Sequence, residues 1–291
     1  MKLLENKNAL ITGGGRGIGK AVALDFASAG ANVAVVARTK RELDQTVEEI
    51  EKFGVKGLAI QADLSNLEQL KKCTEIYFDH FDKYDILICN AGMTQAASIV
   101  EFPIEKAQNL FDLNIMGYYG MIKYIVPNMI EHGAGNIQMT SSVQGNVFFL
   151  PKKAAYSASK AAITAMGKCL SPELKPHNIS INVILPGGVE TRMTQYLREK
   201  GQIMPTVPPE EVSPIYLFLA TEEAKQNGYG GKVIDQMKLF DFLSDVKDFV
   251  GDTQFNIKKV YKEMKDDMKK DHALMFRKNK ELIEFLLTFK R

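Results

Sequence analysis

The fold of this chain is decided near its beginning, by the stretch Thr12-Gly13-Gly14-Gly15-Arg16-Gly17-Ile18-Gly19. The apolar run Asn8–Thr12 leads into it, and Gly19–Ala29 continues with helical periodicity. Glycines permit the tight turn between a strand and a helix, and they let backbone N–H groups approach a pyrophosphate closely. The helix N-terminus adds unpaired N–H donors and a partial positive charge. The stretch therefore predicts a dinucleotide-binding loop at the start of an α/β domain.

Short apolar runs alternate with longer helix-like segments over residues 1–235, a pattern typical of βαβ units around a parallel sheet. The predicted strands are Asn8–Thr12, Asn32–Ala37, Gly57–Ala62, Ile86–Asn90, Asn136–Ser141, Ile179–Leu185 and Lys232–Asp235. The predicted helices are Gly19–Ala29, Lys40–Phe53, Leu67–Phe81, Ile104–His132 and Ser157–Leu174. Pro172 should kink or end the last of these helices. Residues 1–235 are thus predicted to form one α/β domain, a Rossmann-like doubly wound parallel sheet of about seven strands.

Residues 236–291 differ in composition from the preceding part, because charged residues alternate there with Leu, Phe and Met. Val260, Met264 and Met268 share one helical face, and a second apolar face comprises Leu282, Phe285, Leu286 and Phe289. This pattern predicts a helical C-terminal extension rather than a disordered tail. The sequence leaves open whether the extension pads the main domain or a subunit interface, covers the substrate cleft as a lid, or contacts a membrane weakly.

The bulk composition excludes several classes of function. The chain has 291 residues and a formal net charge of +2, so its charge gives no reason to expect nucleic-acid binding. Its three cysteines and four histidines are scattered without metal-ligand spacing, and an odd number of cysteines fits a reducing compartment. No signal peptide and no membrane-spanning apolar stretch is evident. We therefore expect a cytoplasmic protein with no metal site, no integral membrane segment and no nucleic-acid partner.

A second informative stretch is Tyr156-Ser157-Ala158-Ser159-Lys160, which follows Ser141-Ser142 at the end of a predicted strand. Residues four apart lie on one face of a helix, so the phenol and the ammonium group should point the same way. A free tyrosine has a pKa of about 10. A cation held nearby favours the phenolate and moves this pKa toward the working range. The stretch therefore predicts a site for proton transfer.

These motifs resemble those of the short-chain dehydrogenase/reductase family, whose TGxxxGIG and YxxxK signatures match Thr12–Gly19 and Tyr156–Lys160. The resemblance covers roughly residues 6–235. It implies an oxidoreductase that interconverts a ketone or aldehyde and an alcohol by hydride transfer. It also implies four catalytic residues: Asn114, Ser142, Tyr156 and Lys160.

The resemblance implies a role for each of these four residues. Tyr156 exchanges the proton, and Ser142 holds the substrate oxygen. Lys160 binds the nicotinamide ribose and stabilises the phenolate, and Asn114 holds a water that links the lysine to solvent. Considered alone, Asn114 is equally compatible with a mid-helix polar residue that is satisfied locally.

The end of the second strand bears on the choice of cofactor. NAD enzymes of this architecture usually carry an acidic residue there, whereas this chain has Arg38, and Arg16 adds a second cation. Two guanidinium groups at the adenosine ribose favour a 2′-phosphate, and hence NADPH/NADP+. The glycine loop and the resemblance together place cofactor contacts at Gly13, Gly15, Arg16, Gly17, Ile18, Gly19, Arg38, Asp63, Leu64, Asn90, Ala91, Gly92, Tyr156, Lys160, Pro186, Gly187, Val189 and Thr191.

The sequence gives less information on the substrate. Six residues could form an apolar cleft wall suited to a lipid, steroid or aromatic ketone, or could equally be core residues: Met93, Phe148, Phe149, Leu150, Met193 and Tyr196. Lys152 and Lys153 could attract an acidic group or lie in a solvated loop. The segment Met193–Pro209 is predicted to form a substrate lid.

The expected partners are a small-molecule carbonyl or alcohol and a second copy of the chain. Family members often dimerise through the helix that carries the tyrosine, so the resemblance implies a homo-oligomer, either a dimer or a tetramer. The alternative outside enzymes is an NADP(H)-binding sensor or scaffold whose C-terminal helices engage a partner.

Overall fold

The structure is a computed structural model that describes residues 2–202, 205–250 and 279–289, with the backbone alone for residues 245–250. Within these residues, seven parallel strands form one sheet in the order β3-β2-β1-β4-β5-β6-β7. The strands are β1 (Asn8–Thr12), β2 (Asn32–Ala37), β3 (Gly57–Gln61), β4 (Ile86–Cys89), β5 (Gly135–Thr140), β6 (Ile179–Leu185) and β7 (Val233–Asp235). The strand order reverses at β1, between β2 and β4. In open parallel sheets, a crevice that binds ligands lies at the carboxyl ends of the strands at such a point.

The helices of the described residues follow the strands in the alternation that the sequence predicts. They are α1 (Gly17–Ser28), α2 (Lys40–Glu51), α3 (Leu67–Phe78), α4 (Ile104–Phe111), α5 (Gly117–Glu131), α6 (Ala154–Leu174), α7 (Arg192–Glu199), α8 (Pro209–Leu219), α9 (Glu222–Gln226), α10 (Gln236–Val250) and α11 (residues 279–288). A π-helical turn, Asp112–Met116, joins α4 to α5, and a 3₁₀ turn, Lys175–His177, follows α6.

Helices cover both faces of the sheet and form two apolar layers. Successive residues of β1 alternate between them: Ala9 and Ile11 pack in the layer that contains α1 and α8, whereas Leu10 packs in the layer of α3, α5 and α6. Because both faces are buried, the strands consist of continuous apolar runs rather than alternating ones. The predicted doubly wound sheet is confirmed, with each strand end within one residue of its predicted position.

One detail of the predicted helices needs correction. The segment Ile104–His132 is not one helix, because the π-helical turn interrupts it at Asp112–Met116. Such a turn inserts one extra residue without disturbing the apolar spacing enough to be read from sequence. The helix α6 contains Pro172 and ends two residues after it, at Leu174. Pro172 supplies no N–H to the Lys168 carbonyl, and α6 ends in that same turn, in line with the expectation that Pro172 kinks or ends the helix.

The described parts of the C-terminal segment pack against the main sheet domain. Phe242 of α10 and Leu282 of α11 are buried in the layer that contains α1 and α8. The Tyr229 hydroxyl accepts a hydrogen bond from the Leu282 amide (3.2 Å), and the Phe285 ring lies 5.4 Å from the Phe218 ring. These contacts attach α11 to the sheet domain. The boundary between residues 1–235 and 236–291 stays a prediction, and the predicted face of Val260, Met264 and Met268 lies outside the described residues.

None of the helices in residues 2–202, 205–250 and 279–289 is long and apolar enough to cross a membrane.

Candidate active site

A cleft of about 410 Å³ opens at the carboxyl ends of β1 and β4, where the strand order reverses. Every predicted site residue lines it except Gly19 and Asn114, which lie one layer behind its wall. After their predicted roles, we call the part around Ser142, Tyr156 and Lys160 the catalytic end, and the part formed by Arg16, Arg38, Glu42, Asp63 and Arg192 the adenosine end. The fold therefore brings together residues from most of the length of the sheet domain.

The glycine loop takes a shape that side chains would prevent. Gly13 and Gly17 have φ angles of +71° and +55°, in the left-handed region that favours glycine. A Cβ atom at Gly19 would lie 2.3 Å from the Gly13 carbonyl oxygen. The loop is thus a tight cradle in front of the N-terminus of α1, with Arg16 as the N-cap residue.

The loop is joined to the end of β4 by a cluster of hydrogen bonds. The Thr12 hydroxyl oxygen accepts from the backbone amides of Asn90 (2.8 Å) and Ala91 (3.1 Å). The Asn90 side chain donates to the Thr12 carbonyl oxygen at 3.1 Å. Asn90 therefore ties the ends of β1 and β4 together, and this fixes both walls of the cleft at the point where they meet.

The Lys160 ammonium group is buried at the catalytic end. It donates to the Thr140 carbonyl oxygen at 2.9 Å and lies 5.8 Å from the centroids of the Tyr156 and Tyr118 rings. Burial lowers the pKa of Lys160 to about 7, because the charged form loses its hydration. The ammonium group is therefore held beside the Tyr156 phenol, as the spacing of four residues predicts.

The pKa of the Tyr156 phenol is raised, whereas the sequence pattern predicts that it is lowered. Burial raises the pKa of Tyr156, and a hydrogen bond with the Ser142 hydroxyl lowers it by a smaller amount. The expected net shift toward neutral pH is therefore wrong for the protein groups alone, because desolvation of the phenolate outweighs the hydrogen bond. The Ser142 oxygen also accepts from the Gln144 amide at 3.1 Å, which fixes the hydroxyl near Tyr156.

Asn114 lies in the π-helical turn and is fully buried. Its side-chain oxygen accepts from the Met93 amide (2.9 Å), and its nitrogen donates to the Met93 carbonyl (3.0 Å) and to the Ser159 hydroxyl (2.9 Å). A Cβ atom at Gly92 would lie 3.2 Å from this oxygen and 3.6 Å from the Lys160 nitrogen. The Asn114 amide is thus bonded to protein groups and lies close to Lys160 behind Gly92.

The adenosine end contains two residues that sequence reasoning missed. The Glu42 carboxylate in the first turn of α2 pairs with Arg16 at 3.1 Å and with Arg192, at the start of α7, at 2.6 Å. The Arg38 side chain is 65% exposed, and it lies 3.9 Å from Asp63. Glu42 stands four residues after Arg38, so its place on α2 was readable, whereas its contact with Arg192 spans 150 residues.

The segment after β6 is anchored at both of its ends. The Gly187 amide donates to the side-chain oxygen of Gln236, the first residue of α10, at 2.8 Å. Thr191 caps α7 in a reciprocal capping box with Thr194. Between these anchors, Val189 pairs with Val207 across the predicted lid. The first residue of the C-terminal segment thus supports a wall of the cleft.

Only half of the apolar residues that were candidates for the substrate wall line the cleft. Of the six apolar candidates, Met93, Met193 and Tyr196 line the cleft. The other three do not: Phe149 and Leu150 are exposed, and Phe148 packs on the sheet core. An apolar residue type does not reveal its direction within a loop.

Lys153 contradicts the solvated-loop alternative. Its side chain is buried, and it donates to the Thr94 hydroxyl at 3.1 Å. Its neighbour Lys152 is exposed. In the ranges that the structure describes, no group of three or more His, Cys, Asp or Glu residues could hold a metal ion.

Comparisons with known proteins agree with this geometry. The model of the short chain dehydrogenase family matches residues 7–202. The chain is 35% identical over 229 residues to a 3-oxoacyl-[acyl-carrier-protein] reductase of Thermotoga maritima, which covers 76% of this chain and 93% of that protein.

Two solved structures show the same fold. A short-chain type dehydrogenase/reductase from Mycobacterium marinum has a TM-score of 0.75 at 32% identity, covering 80% of this chain and 94% of that one. A 3-ketoacyl-(acyl-carrier-protein) reductase from Brucella melitensis, complexed with NADH, has a TM-score of 0.74 at 28% identity, covering 80% and 97%. The protein is an oxidoreductase that acts on CH–OH or C=O groups with a nicotinamide cofactor, and it belongs to the short-chain dehydrogenase/reductase family.

Proposed function

We propose that this protein is an NADPH-dependent carbonyl reductase that also catalyses the reverse alcohol oxidation, with Tyr156 as the proton donor. The observation that carries the proposal is the Tyr156 phenol on the wall of the cleft, hydrogen-bonded to Ser142 and 5.8 Å from the Lys160 ammonium group. A phenol, a hydroxyl and a cation at one point of a cleft suit a reaction in which a carbonyl oxygen gains a proton. A sensor or scaffold has no need for this arrangement.

The cleft fits a nicotinamide dinucleotide. The cradle of Gly13 and Gly17 at the N-terminus of α1 would hold the pyrophosphate through backbone N–H groups. Lys160 would bind the nicotinamide ribose, and the segment from Gly187 to Thr191 would contact the carboxamide. The bound nicotinamide supplies the hydride in reduction and accepts it in oxidation.

The chain's own residues would manage the proton. Burial raises the pKa of Tyr156, so its hydroxyl is protonated at neutral pH and ready to donate to the developing alkoxide. Ser142 would hold the same substrate oxygen through its hydroxyl. Lys160 would stabilise the phenolate that Tyr156 leaves behind, because an ammonium group favours the charged form of a neighbouring phenol. A water at the cleft wall beside Gly92, with Asn114 one layer behind, would reach Lys160 and return the proton from solvent.

The preference for NADPH rests on the charges of the adenosine end. Three arginines, Arg16, Arg38 and Arg192, outnumber the two carboxylates of Glu42 and Asp63. Arg38 is the most exposed of the three, and its ion pair with Asp63 is long, at 3.9 Å. It is therefore available to clamp a 2′-phosphate. The competing possibility is NADH, which the Glu42 carboxylate favours and which is bound in the Brucella melitensis enzyme.

The proposed substrate is a ketone attached to an apolar chain, with a 3-oxoacyl thioester as the first candidate. Met93, Met193 and Tyr196 line the cleft and would give the substrate an apolar wall. The similarity to 3-oxoacyl-[acyl-carrier-protein] reductases supports the same class of substrate. Steroid and aromatic ketones would suit this wall as well.

We extend the proposal to a cytoplasmic homo-oligomer, a dimer or a tetramer. The π-helical turn and the start of α5 expose Met116 and Tyr119 to solvent, and Ile104 at the start of α4 is exposed as well. Burial of such side chains against a second copy would stabilise the assembly. Sedimentation of the full chain measures this directly.

The deciding experiment follows NADPH oxidation at saturating concentrations of a 3-oxoacyl thioester, a steroid ketone and an aromatic ketone, with NADH in parallel. We expect reduction of at least one ketone, faster with NADPH, and a loss of about 10²–10⁴-fold in kcat in the Tyr156→Phe variant. The variant should still bind NADPH, because the phenol hydroxyl is not needed to hold the dinucleotide. A wild-type protein that binds NADPH tightly but reduces none of these ketones would overturn the proposal in favour of a sensor.

A further inference from the structure

Lys153 is a buried cation beside the proposed proton donor. Its side chain is 1% exposed, and its hydrogen bond goes to the neutral hydroxyl of Thr94 at 3.1 Å. Among the residues that the structure describes, no ion pair involves Lys153. Burial of an ammonium group without a carboxylate partner is costly. Packing alone does not explain why a charged side chain is buried at this position.

The position of Lys153 relative to Tyr156 supplies one. The Lys153 nitrogen lies 5.8 Å from the centroid of the Tyr156 ring, the same distance as the Lys160 nitrogen. Lys153 precedes the tyrosine by three residues and Lys160 follows it by four. Tyr156 therefore has two ammonium groups within reach of its ring, each close enough for a cation–π contact.

The neighbouring loop holds Lys153 in place. Thr94, which accepts from the Lys153 ammonium group, lies on the cleft wall. The next residue, Gln95, accepts from the Ala155 amide through its buried side chain at 2.9 Å. The loop after β4 and the first turn of α6 are thus joined by two hydrogen bonds, one on each side of the start of the helix.

Lys153 does not reach the substrate itself. With 1% of its surface exposed, its ammonium group lies behind Thr94 rather than on the cleft wall. Its influence must pass through Tyr156 or through Thr94. Among the described residues, the titratable groups that face Tyr156 are Lys153 at the N-cap of α6, Lys160 of α6 and Tyr118 of α5.

We propose that Lys153 is a positioning residue for proton transfer, because its ammonium group holds the Tyr156 ring and favours the phenolate that forms when the proton leaves. The inference rests on the proposed role of Tyr156. Both lysines then assist the same proton transfer: Lys160 lies on the cleft wall, and Lys153 lies behind that wall. Burial lowers the pKa of Lys153 to about 8, so its charge is present at neutral pH and declines in alkaline solution.

The test compares the pH profiles of the wild type, Lys153→Met and Lys152→Met. The charge of Lys153 is present only below about pH 8, so Lys153→Met and the wild type should differ at neutral pH and converge in alkaline solution. In the alcohol-oxidation direction, where Tyr156 must be deprotonated, the rate near pH 7 should fall about tenfold. Lys152→Met removes the same charge from the exposed neighbour, and its profile should match the wild type.

A second measurement does not depend on activity. The ultraviolet absorption band of the Tyr156 phenol, isolated by difference from the Tyr156→Phe counterpart, responds to a charge beside the ring. In Lys153→Met this band should shift relative to the wild type at about pH 7, and the two should converge in alkaline solution, where Lys153 loses its charge. If Lys153→Met fails to fold, Thr94→Val removes the anchor and keeps the charge, and it should produce a smaller shift at about pH 7.

The outcomes separate the two proposals. An unchanged Tyr156 absorption band and an unchanged oxidation rate near pH 7 in folded Lys153→Met, or in Thr94→Val where Lys153→Met does not fold, overturn the role of Lys153. An unchanged reduction rate in Tyr156→Phe overturns the proposed proton donor instead.

Discussion

The two ends of the cleft hold their cations in different surroundings. At the catalytic end, the ammonium groups of Lys153 and Lys160 are buried and bonded to neutral oxygens. At the adenosine end, the half-exposed guanidinium groups of Arg16 and Arg192 share the carboxylate of Glu42. Both ends are positively charged, but one contains cations without counter-ions and the other contains ion pairs in contact with water.

This difference assigns different work to the two ends. A buried ammonium group loses hydration, so its pKa moves toward neutral pH and it can respond to proton movement nearby. An arginine stays charged at any physiological pH, and an exposed ion pair exchanges partners at little cost. Changes at the catalytic end should therefore alter rates and pH dependence. Changes at the adenosine end should alter cofactor affinity and salt dependence.

The largest effect is expected from Lys160→Met. This change removes the ammonium group that is proposed to bind the ribose and to stabilise the Tyr156 phenolate. We expect kcat for ketone reduction to fall by about 100-fold or more and KM for NADPH to rise. Steady-state kinetics with Lys168→Met as the control checks this, because Lys168 is an exposed lysine on the same helix. A Lys160→Met enzyme with kcat within a few-fold of the wild-type value would show that the buried ammonium group of Lys160 does not assist the reaction.

The next largest effect is expected from Arg38→Asp at the other end. The variant loses a charge-assisted contact to a 2′-phosphate, which is worth about 1.5–3 kcal/mol, and it gains a repulsive carboxylate. We expect kcat/KM with NADPH to fall by about 10- to 100-fold, while the value with NADH stays the same or rises. Arg41→Asp makes the same charge change at an exposed position outside the cleft. If NADPH remains preferred in Arg38→Asp, the assignment of Arg38 is wrong.

A smaller effect should appear in stability against pH. Burial lowers the pKa of Lys160 to about 7, whereas a lysine in the unfolded chain titrates near 10.4. Between these values the unfolded state binds more protons, so the free energy of unfolding should rise with pH in this window. The cost is fully present below about pH 7. In Lys160→Met we expect the rise from pH 7 to 9 to shrink by about 2 kcal/mol, measured by urea denaturation with Lys168→Met as the control. An unchanged rise in Lys160→Met would contradict the buried charge.

Much of the fold and of the cleft could be predicted from the sequence. The glycine loop, the strand ends and most of the residues that line the cleft were predictable, because each depends on local patterns that repeat along the chain. A parallel sheet places the carboxyl ends of its strands together, so residues at those ends meet whatever their separation in sequence. Asn90 illustrates this rule, because the end of β4 alone places it beside Thr12 of β1.

The features that the sequence did not reveal depend on long-range packing. Glu42 and Arg192 look like ordinary surface charges, and only the fold brings them together. Lys153 follows another lysine at the end of a loop, which suggests a solvated segment, yet its partner is Thr94, 59 residues away. Periodicity and local motifs carry no information on such pairs.

The smallest expected effect belongs to Glu42→Gln, and it bears directly on the charge balance of the adenosine end. The change frees Arg16 and Arg192 and removes a negative charge near the proposed 2′-phosphate. Exposed ion pairs are worth about 0.2–1 kcal/mol, so the Kd for NADPH should fall by only about two- to fivefold. NADH lacks the phosphate and should gain less. Because two cations are freed, NADPH affinity should also decline more steeply with added salt.

Fluorescence titration at two salt concentrations, with Glu49→Gln as the control, measures this change in affinity. Glu49 lies on the same helix and pairs with Lys20, but it is not on the cleft wall. Equal weakening of NADPH and NADH by Glu42→Gln would mean that the carboxylate holds α7 over either cofactor. Selective weakening of NADH would mean that Glu42 binds the ribose hydroxyls, and the cofactor preference would then have to be reversed. The direction of this small change therefore decides whether the ion pairs at the adenosine end select a phosphate or only close the cleft.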